Sequence, residues 1–309
     1  MWTALPKRAS VYEVSLRDGL QNEQRPIPTS AKVELADALF RTGLMRIELT
    51  SFVSPKWVPQ LSDAEELARS VSVPEGIITS ALVPNALGFE RARSAGLREI
   101  AVFMSASETH NRKNTHKSIE RSLETFREIV PPAIDSGMRV RAYVSTVWGC
   151  PYEGAIDPHA ALDITRELLR LGCYQISLGD TIGVGTPRQT QRICELFLRE
   201  IDAERLALHL HDTRGQALVN ALVGLSLGIT TFDASVGGLG GCPYAPGAAG
   251  NLATEDLVYM LEGMGVATGV DLEALVQAGK TAERIVGRPL PGKMHQAGLF
   301  RPRISPSDA

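Results

Sequence analysis

The stretch Leu206-Ala-Leu-His209-Leu-His211-Asp-Thr-Arg-Gly215 is an apolar, strand-like run that ends in a turn. Its two histidines are two residues apart, and side chains at that spacing point to the same face of a β-strand. Two imidazoles that converge on one point can hold a metal ion. The stretch therefore predicts both a strand and a site at the carboxyl end of that strand.

Seven further apolar, β-branched runs accompany this one, and segments of helical period separate them. The eight predicted strands are residues 11–16, 46–52, 76–83, 99–104, 139–147, 174–178, 206–211 and 230–236. The helix predicted over 186–201 begins with Thr186 as the N-cap and Pro187 at the first helical position, where both are favoured. Strict strand–helix alternation predicts parallel strands joined by crossover helices. Eight repeats in roughly 250 residues predict a (β/α)₈ TIM barrel of the α/β class.

An open, doubly wound sheet is the alternative arrangement for such alternation. It is disfavoured because no G-x-G-x-x-G sequence follows the first strand. No internal linker or repeat divides the chain, so residues 1–288 are predicted to form one catalytic barrel domain. Residues 289–309 are rich in proline and polar residues and are predicted to be a C-terminal extension.

Composition argues against several classes of protein. The 309 residues carry a formal net charge of −3 without a Lys/Arg cluster, so nucleic acid is not an expected partner. The longest weakly polar run, 217–229, is too short to span a bilayer, and the N-terminus does not resemble a secretion signal. The four cysteines are far apart and form no C-x-x-C pair, which is typical of a reduced protein. We therefore expect a cytoplasmic protein with no membrane partner.

Polar residues at the carboxyl ends of parallel barrel strands meet at one rim, where the chemistry of such barrels takes place. The sequence places several candidates there: Arg17 and Asp18 at the end of strand one, Glu48, Thr50 and Ser51 in strand two, Asp180 after strand six, His209 and His211 at strand seven, and Cys242 and Asn251 in the glycine-rich stretch 237–251.

Two imidazoles, a carboxylate and a carboxamide among these residues form a mixed nitrogen and oxygen donor set. The predicted metal ligands are Asp18, His209, His211 and Asn251. A set without thiolate suits Mg²⁺ or Mn²⁺ with positions left for water or substrate, and Zn²⁺ is an alternative because imidazole binds it readily. The other alternative is that both histidines are ordinary core or surface residues without a ligand. The carboxylate and the amide on the same rim disfavour this alternative.

Arg17 and Cys242 are further candidates at the rim. An arginine at a barrel mouth typically binds an anion or polarises a carbonyl, and an ion pair with Glu48 or Asp180 is the alternative role for Arg17. A thiol near a metal site can transfer a proton, and a loop can close it over a ligand. A buried, inert thiol is the alternative for Cys242, although its glycine-rich surroundings argue against it.

Six segments together resemble the 3-hydroxy-3-methylglutaryl-CoA lyase family. They are Glu13-Val-Ser-Leu-Arg-Asp-Gly-Leu-Gln-Asn-Glu23, Thr50-Ser-Phe-Val-Ser-Pro-Lys-Trp-Val-Pro-Gln60, Gly149-Cys-Pro-Tyr-Glu-Gly154, Ile176-Ser-Leu-Gly-Asp-Thr-Ile-Gly183, His209-Leu-His-Asp-Thr213 and the stretch 237–255. The wider group of metal-dependent barrels also contains isopropylmalate and homocitrate synthases. The Gly-Cys-Pro-Tyr-Ala sequence at 241–245 is what resembles the lyases in particular.

The resemblance implies cleavage of (S)-3-hydroxy-3-methylglutaryl-CoA to acetoacetate and acetyl-CoA with Mg²⁺ or Mn²⁺, in leucine catabolism or ketone-body formation. A longer 3-hydroxy-3-isohexenylglutaryl-CoA is a second candidate substrate, and a homodimer is expected. By the resemblance, the four predicted ligands match the family's metal ligands, Arg17 its essential arginine, Cys242 its catalytic loop cysteine, and Glu48 and Asp180 acidic residues of its active site. His209 and Asp18 are both candidates for the general base.

The sequence departs from the family at two places. Ser15-Leu16 stands where Gly-Pro often precedes the Arg-Asp pair, and the tail lacks a cysteine that some members carry. Two other functions are weighed: a Claisen-type synthase that joins acetyl-CoA to a 2-oxo acid, and a metal-binding barrel without catalysis. Arg112 and Lys113 are the candidates for contacts with the CoA nucleotide.

Overall fold

The computed structural model describes residues 5–241 and 250–300, and within them eight parallel strands close into a barrel. The strands are β1 Ser10–Glu13, β2 Arg46–Ser51, β3 Ile78–Leu82, β4 Glu99–Ser105, β5 Arg139–Ser145, β6 Gln175–Asp180, β7 Leu206–Leu210 and β8 Thr231–Ala234. Each strand pairs with the next in the chain, and β8 pairs with β1. The predicted (β/α)₈ TIM barrel is confirmed, and the open sheet is excluded.

Helices connect the strands and surround the barrel. Those in the described residues are α1 Thr29–Phe40, α2 Ala64–Ser70, α3 Ala86–Ser94, α4 Glu108–Thr115, α5 Ile119–Asp135, α6 Pro158–Leu171, α7 Pro187–Leu198, α8 Ala217–Ser226, α9 Thr254–Gly263, α10 Leu272–Val286 and α11 Lys293–Ala297. Thr186 caps α7 as predicted, since its side chain accepts the N–H of Gln189. Across the described ranges, we find no helix with the length and apolarity that crossing a membrane requires.

Several strands alternate between an apolar outer face and an inner face that carries polar residues. In β5, Val140, Ala142 and Val144 belong to the apolar layer that the strands share with the helices, whereas Arg141 and Tyr143 alternate with them. The same period of two recurs in β8, where Asp233 is flanked by apolar neighbours. The barrel interior therefore contains buried charged groups.

The prediction that the first strand extends to residue 16 is wrong, because β1 ends at Glu13 and a π-helical turn, Ser15–Gly19, follows it. The carbonyl of Val14 accepts the backbone N–H groups of residues 17, 18 and 19 at 2.8–3.2 Å. Arg17 and Asp18 thus lie on this turn rather than at the strand end. Short π-helical segments of this kind occur often at functional sites.

The described part of the predicted C-terminal extension packs on the barrel. Leu290 is buried, and the N–H of Gly292 donates to the carbonyl of Gly237 at 2.8 Å. The first two amides of α11 donate to the carboxylate of Asp256 in α9 at 2.9 and 2.6 Å. These contacts hold the residues after α10 against the segment that follows β8.

Candidate active site

A cavity of about 420 Å³ opens at the carboxyl ends of the strands. Its lining includes Arg17, Asp18, His209 and His211, together with strand-end residues from β2, β3, β5 and β6. Cavities of this size accommodate small-molecule ligands. The predicted convergence of polar residues at one rim is therefore observed for these four side chains.

Three potential ligand atoms converge at this cavity. Nε2 of His209 and Nε2 of His211 are 3.3 Å apart, and they lie 3.8 and 3.9 Å from Oδ2 of Asp18. A circle through three atoms with these separations has a radius of about 2.1 Å, so a cation at its centre would lie about 2.1 Å from each atom. Mg²⁺ and Zn²⁺ form bonds of this length with such ligands. All three side chains are buried. The residues present thus fit a divalent cation.

Asn251 lies at the same place but presents its nitrogen. A backbone bridge joins it to His211, and its Nδ2 donates to Oδ2 of Asp18 at 2.8 Å and to the carbonyl of Leu239 at 3.2 Å. Its amide must turn over about the terminal bond before its oxygen can bind a cation. The structure therefore brings all four predicted ligands together, with the amide nitrogen of Asn251 hydrogen-bonded to Asp18.

Local electrostatics favour the metal-binding protonation states of these groups. Burial raises the pKa of the Asp18 carboxyl, but the opposing effect of the Arg17 guanidinium and the two imidazoles is larger and lowers the pKa to about 2. Burial and the neighbouring His209 lower the pKa of His211 to about 4. At neutral pH the cluster therefore offers a carboxylate and a neutral imidazole, and metal binding requires both.

Arg17 is held between two carboxylates. Its Nε donates to Oε2 of Glu48 at 2.5 Å and its Nη1 to Oδ1 of Asp18 at 2.6 Å. The guanidinium carbon of Arg17 lies over the Tyr143 ring, 5.0 Å from the ring centroid, and the Tyr143 hydroxyl donates to Glu48 at 3.0 Å. The ion pair with Glu48 considered from the sequence is present, and it fixes a buried cation beside the cavity.

Asp180 is not among the residues that line the cavity. Its two carboxylate oxygens accept the backbone N–H groups of Val184 and Gly185 at 3.0 and 2.8 Å. The carboxylate thus closes the turn between β6 and α7, and the neighbouring Gly179 and Thr181 line the cavity in its place. No ion pair between Asp180 and Arg17 is found among the described contacts.

The remaining candidates differ in placement. Lys113 lines the cavity, with its Nζ 4.9 Å from the centroid of the Tyr152 ring. Arg112 instead pairs with Glu108 on an exposed face of α4. Cys242 lies outside the described residues, so its predicted role stays a prediction from the sequence.

Sequence reasoning missed the side chains that support the site from within the barrel. Tyr143 supports Arg17, while Arg141 and Asp233 form a buried pair beside His209. A signal for them was present, because a charged residue inside an apolar strand run is seldom buried without a partner. The inward or outward direction of each position became clear only with the barrel.

Comparisons with known proteins agree with this geometry. The family model described as HMGL-like matches residues 8–282. The hydroxymethylglutaryl-CoA lyase of Pseudomonas mevalonii is 51% identical over 269 residues, which make up 87% of this chain and 89% of that protein. The structure of Bacillus subtilis HMG-CoA lyase aligns with a TM-score of 0.94 at 48% identity, covering 95% of this chain and 99% of that one.

An HMG-CoA lyase from Acinetobacter baumannii, solved in complex with coenzyme A and 3-methylmalate, aligns with a TM-score of 0.92 at 41% identity. The alignment covers 97% of this chain and 99% of that one. These similarities extend over nearly the whole barrel, including the strands that carry the cavity.

A cation bound by Asp18, His209 and His211 should stabilise the folded protein. A ligand present at 100 times its Kd adds about 2.7 kcal/mol to the free energy of unfolding. We expect Mn²⁺ to raise the Tm of the wild type relative to EDTA, and His211→Gln to lose most of that increase. Thermal denaturation followed by circular dichroism measures both values.

His159→Gln is the matched control, since His159 is exposed on α6. It should keep the full Mn²⁺-dependent increase in Tm. An undiminished increase in His211→Gln would place the cation elsewhere.

Proposed function

The chain belongs to the HMGL-like family, and we infer that it cleaves 3-hydroxy-3-methylglutaryl-CoA to acetoacetate and acetyl-CoA. The observation that carries this conclusion is the cluster of Asp18, His209 and His211 beside Arg17 at a cavity, in a chain about half identical to lyases of that name. The reaction class is carbon–carbon bond cleavage. A proton leaves the C3 hydroxyl, the C2–C3 bond breaks, and C2 takes up a proton.

We propose that Asp18, His209, His211 and Asn251 hold a divalent cation, Mg²⁺ or Mn²⁺. When bound, such a cation orients an oxygen-rich substrate and makes its hydroxyl more acidic. The donor set supports this assignment, because Asp18 supplies a carboxylate oxygen, the Asn251 amide would supply a second oxygen once it turns over, and no thiolate is among the four. Zn²⁺ stays the alternative ion.

Arg17 is the residue we propose for stabilising the negative charge that develops on the thioester oxygen as the bond breaks. Glu48 and Asp18 fix the guanidinium in place, so little reorganisation accompanies the reaction. Burial raises the pKa of the Glu48 carboxyl, and the adjacent Arg17 opposes that rise. We assign Glu48 the role of orienting Arg17.

We also propose residues for the two proton transfers, removal of the C3 hydroxyl proton and delivery of a proton to C2. Asp18 and His209 both line the cavity and are the two candidates for accepting the hydroxyl proton, although a group that binds the cation is a weakened base. Cys242 is retained as the donor of a proton to C2 on the strength of the family resemblance alone. For Asp180 we propose a positioning role, because its carboxylate orders the turn beside the cavity through two backbone amides.

Finer properties are also proposed. The coenzyme A bound by the Acinetobacter relative supports a CoA thioester at this cavity, and Lys113, which lines the cavity, is the residue we propose for contacts with the CoA phosphates. We keep the homodimer, the single catalytic domain, the cytoplasmic location and the additional cleavage of a longer isohexenyl substrate as predictions.

A coupled assay tests the function directly. Purified protein should release acetoacetate and acetyl-CoA in equal amounts from 3-hydroxy-3-methylglutaryl-CoA with Mg²⁺, and EDTA should abolish both. The isohexenyl analogue, run in parallel, tests chain-length tolerance. Condensation of acetyl-CoA with a 2-oxo acid, without cleavage, would identify a synthase instead, and no turnover in either direction would indicate a binding protein.

Arg17→Gln should lower kcat by about 10²–10³-fold, the loss typical of removing an oxyanion-stabilising donor. Arg166→Gln is the matched control, since Arg166 also pairs with two carboxylates, those of Asp163 and Glu200, but on the outer surface of α6. Steady-state kinetics of both variants measure the effect. A wild-type kcat in Arg17→Gln would remove Arg17 from the mechanism.

A further inference from the structure

A charged pair lies inside the barrel next to the candidate metal site. The Arg141 guanidinium on β5 donates to Oδ1 and Oδ2 of Asp233 on β8 at 2.6 and 3.2 Å. Oγ of Ser177 on β6 donates to Oδ2 of the same carboxylate at 2.6 Å. The side chains of Arg141 and Asp233 are completely buried. Such two-point pairing fixes both the position and the ionised state of the carboxylate.

The same carboxylate contacts His209. Oδ2 of Asp233 lies 3.2 Å from Nδ1 of that ring, while the other ring nitrogen, Nε2, faces His211 and Asp18. An ionised carboxylate can only accept hydrogen bonds. A neutral His209 therefore has its proton on Nδ1, and its Nε2 presents a lone pair toward the other two predicted metal ligands, His211 and Asp18.

We propose that Asp233 is a positioning residue that selects the Nδ1–H tautomer of His209 and so makes Nε2 available to a divalent cation, an inference that rests on the proposed metal site. A partner of this kind orients a histidine ligand and increases its basicity. Its loss typically weakens metal binding about 10–100-fold.

The competing explanation is that Asp233 serves only to neutralise Arg141 in the barrel interior. Glu99 provides a matched comparison for that explanation, because it is also a fully buried carboxylate within the barrel. It accepts hydrogen bonds from Tyr12 at 2.7 Å and from Arg46 at 3.1 Å. It begins β4, at the end of the barrel opposite the cavity, and it does not contact His209 in the described structure.

Asp233→Asn separates the two explanations. Oδ1 accepts from the Arg141 guanidinium, which can only donate, whereas Oδ2 accepts from the Ser177 hydroxyl, which can instead accept. The asparagine oxygen therefore takes the Oδ1 position and its nitrogen replaces Oδ2. The new NH₂ group then faces Nδ1 of His209 and donates to it. This reversal places the histidine proton on Nε2, where it blocks the cation.

Two measurements are made on the wild type, Asp233→Asn and Glu99→Gln. Titration calorimetry with Mn²⁺ gives Kd. Long-range ¹H–¹⁵N correlation spectra of the metal-free proteins, with His209 assigned by comparison with His209→Gln, give the tautomer. We expect an Nδ1–H tautomer in the wild type, an about 10–100-fold higher Kd in Asp233→Asn, and unchanged values for both in Glu99→Gln.

A folded Asp233→Asn protein with wild-type Kd would overturn the proposal, as would an Nε2–H tautomer in the wild type. If Asp233→Asn does not fold because Arg141 has lost its counter-charge, the wild-type spectrum decides the tautomer. Equal weakening in Glu99→Gln would also overturn it, since general damage to the interior would then explain the loss. Absence of Mn²⁺ binding by the wild type would instead refute the metal site, independently of the metal-free spectrum.

Discussion

Pairing of β8 with both β1 and β7 is the constraint on which the site depends. It brings the turn that carries Asp18 beside the end of β7 that carries His209, although the two are almost two hundred residues apart in sequence. The Glu13 carboxylate strengthens this junction, because Oε1 accepts the backbone N–H groups of Ser15 and Val236 and Oε2 accepts the hydroxyl of Thr254. One buried side chain thereby joins the Asp18 turn to both segments that flank the glycine-rich stretch.

Burial gives the site its chemical character and makes its charge pairing necessary. An isolated guanidinium or carboxylate in such an interior costs several kcal/mol, and breaking a buried pair costs about 3–5 kcal/mol. Arg17 meets this requirement with Glu48 and Asp18, and Arg141 meets it with Asp233. The paired groups cannot reorient freely, so the donors around the cavity are fixed before substrate arrives, as electrostatic catalysis requires.

The sequence predicted the barrel and the location of the metal cluster because both depend on simple periods. Strand–helix alternation sets the fold, and the spacing of two in the His209 segment sets a shared face. The π-helical turn at Arg17 was not predictable, because it depends on the Val14 carbonyl and on contacts with β8. The placement of Asp180 was not predictable for a related reason, since a strand-end carboxylate can face the cavity or close its own turn. The Arg141–Asp233 pair requires knowledge of which strands are opposite each other.

The central claim is that the three donors from the β1 turn and β7 share one divalent cation. Anomalous diffraction from crystals soaked in Mn²⁺ and recorded above and below the manganese absorption edge tests it most directly. The account predicts one strong peak within bonding distance of Oδ2 of Asp18 and Nε2 of both His209 and His211. A peak bound to other residues, with these three atoms left uncoordinated at saturating Mn²⁺, would contradict it.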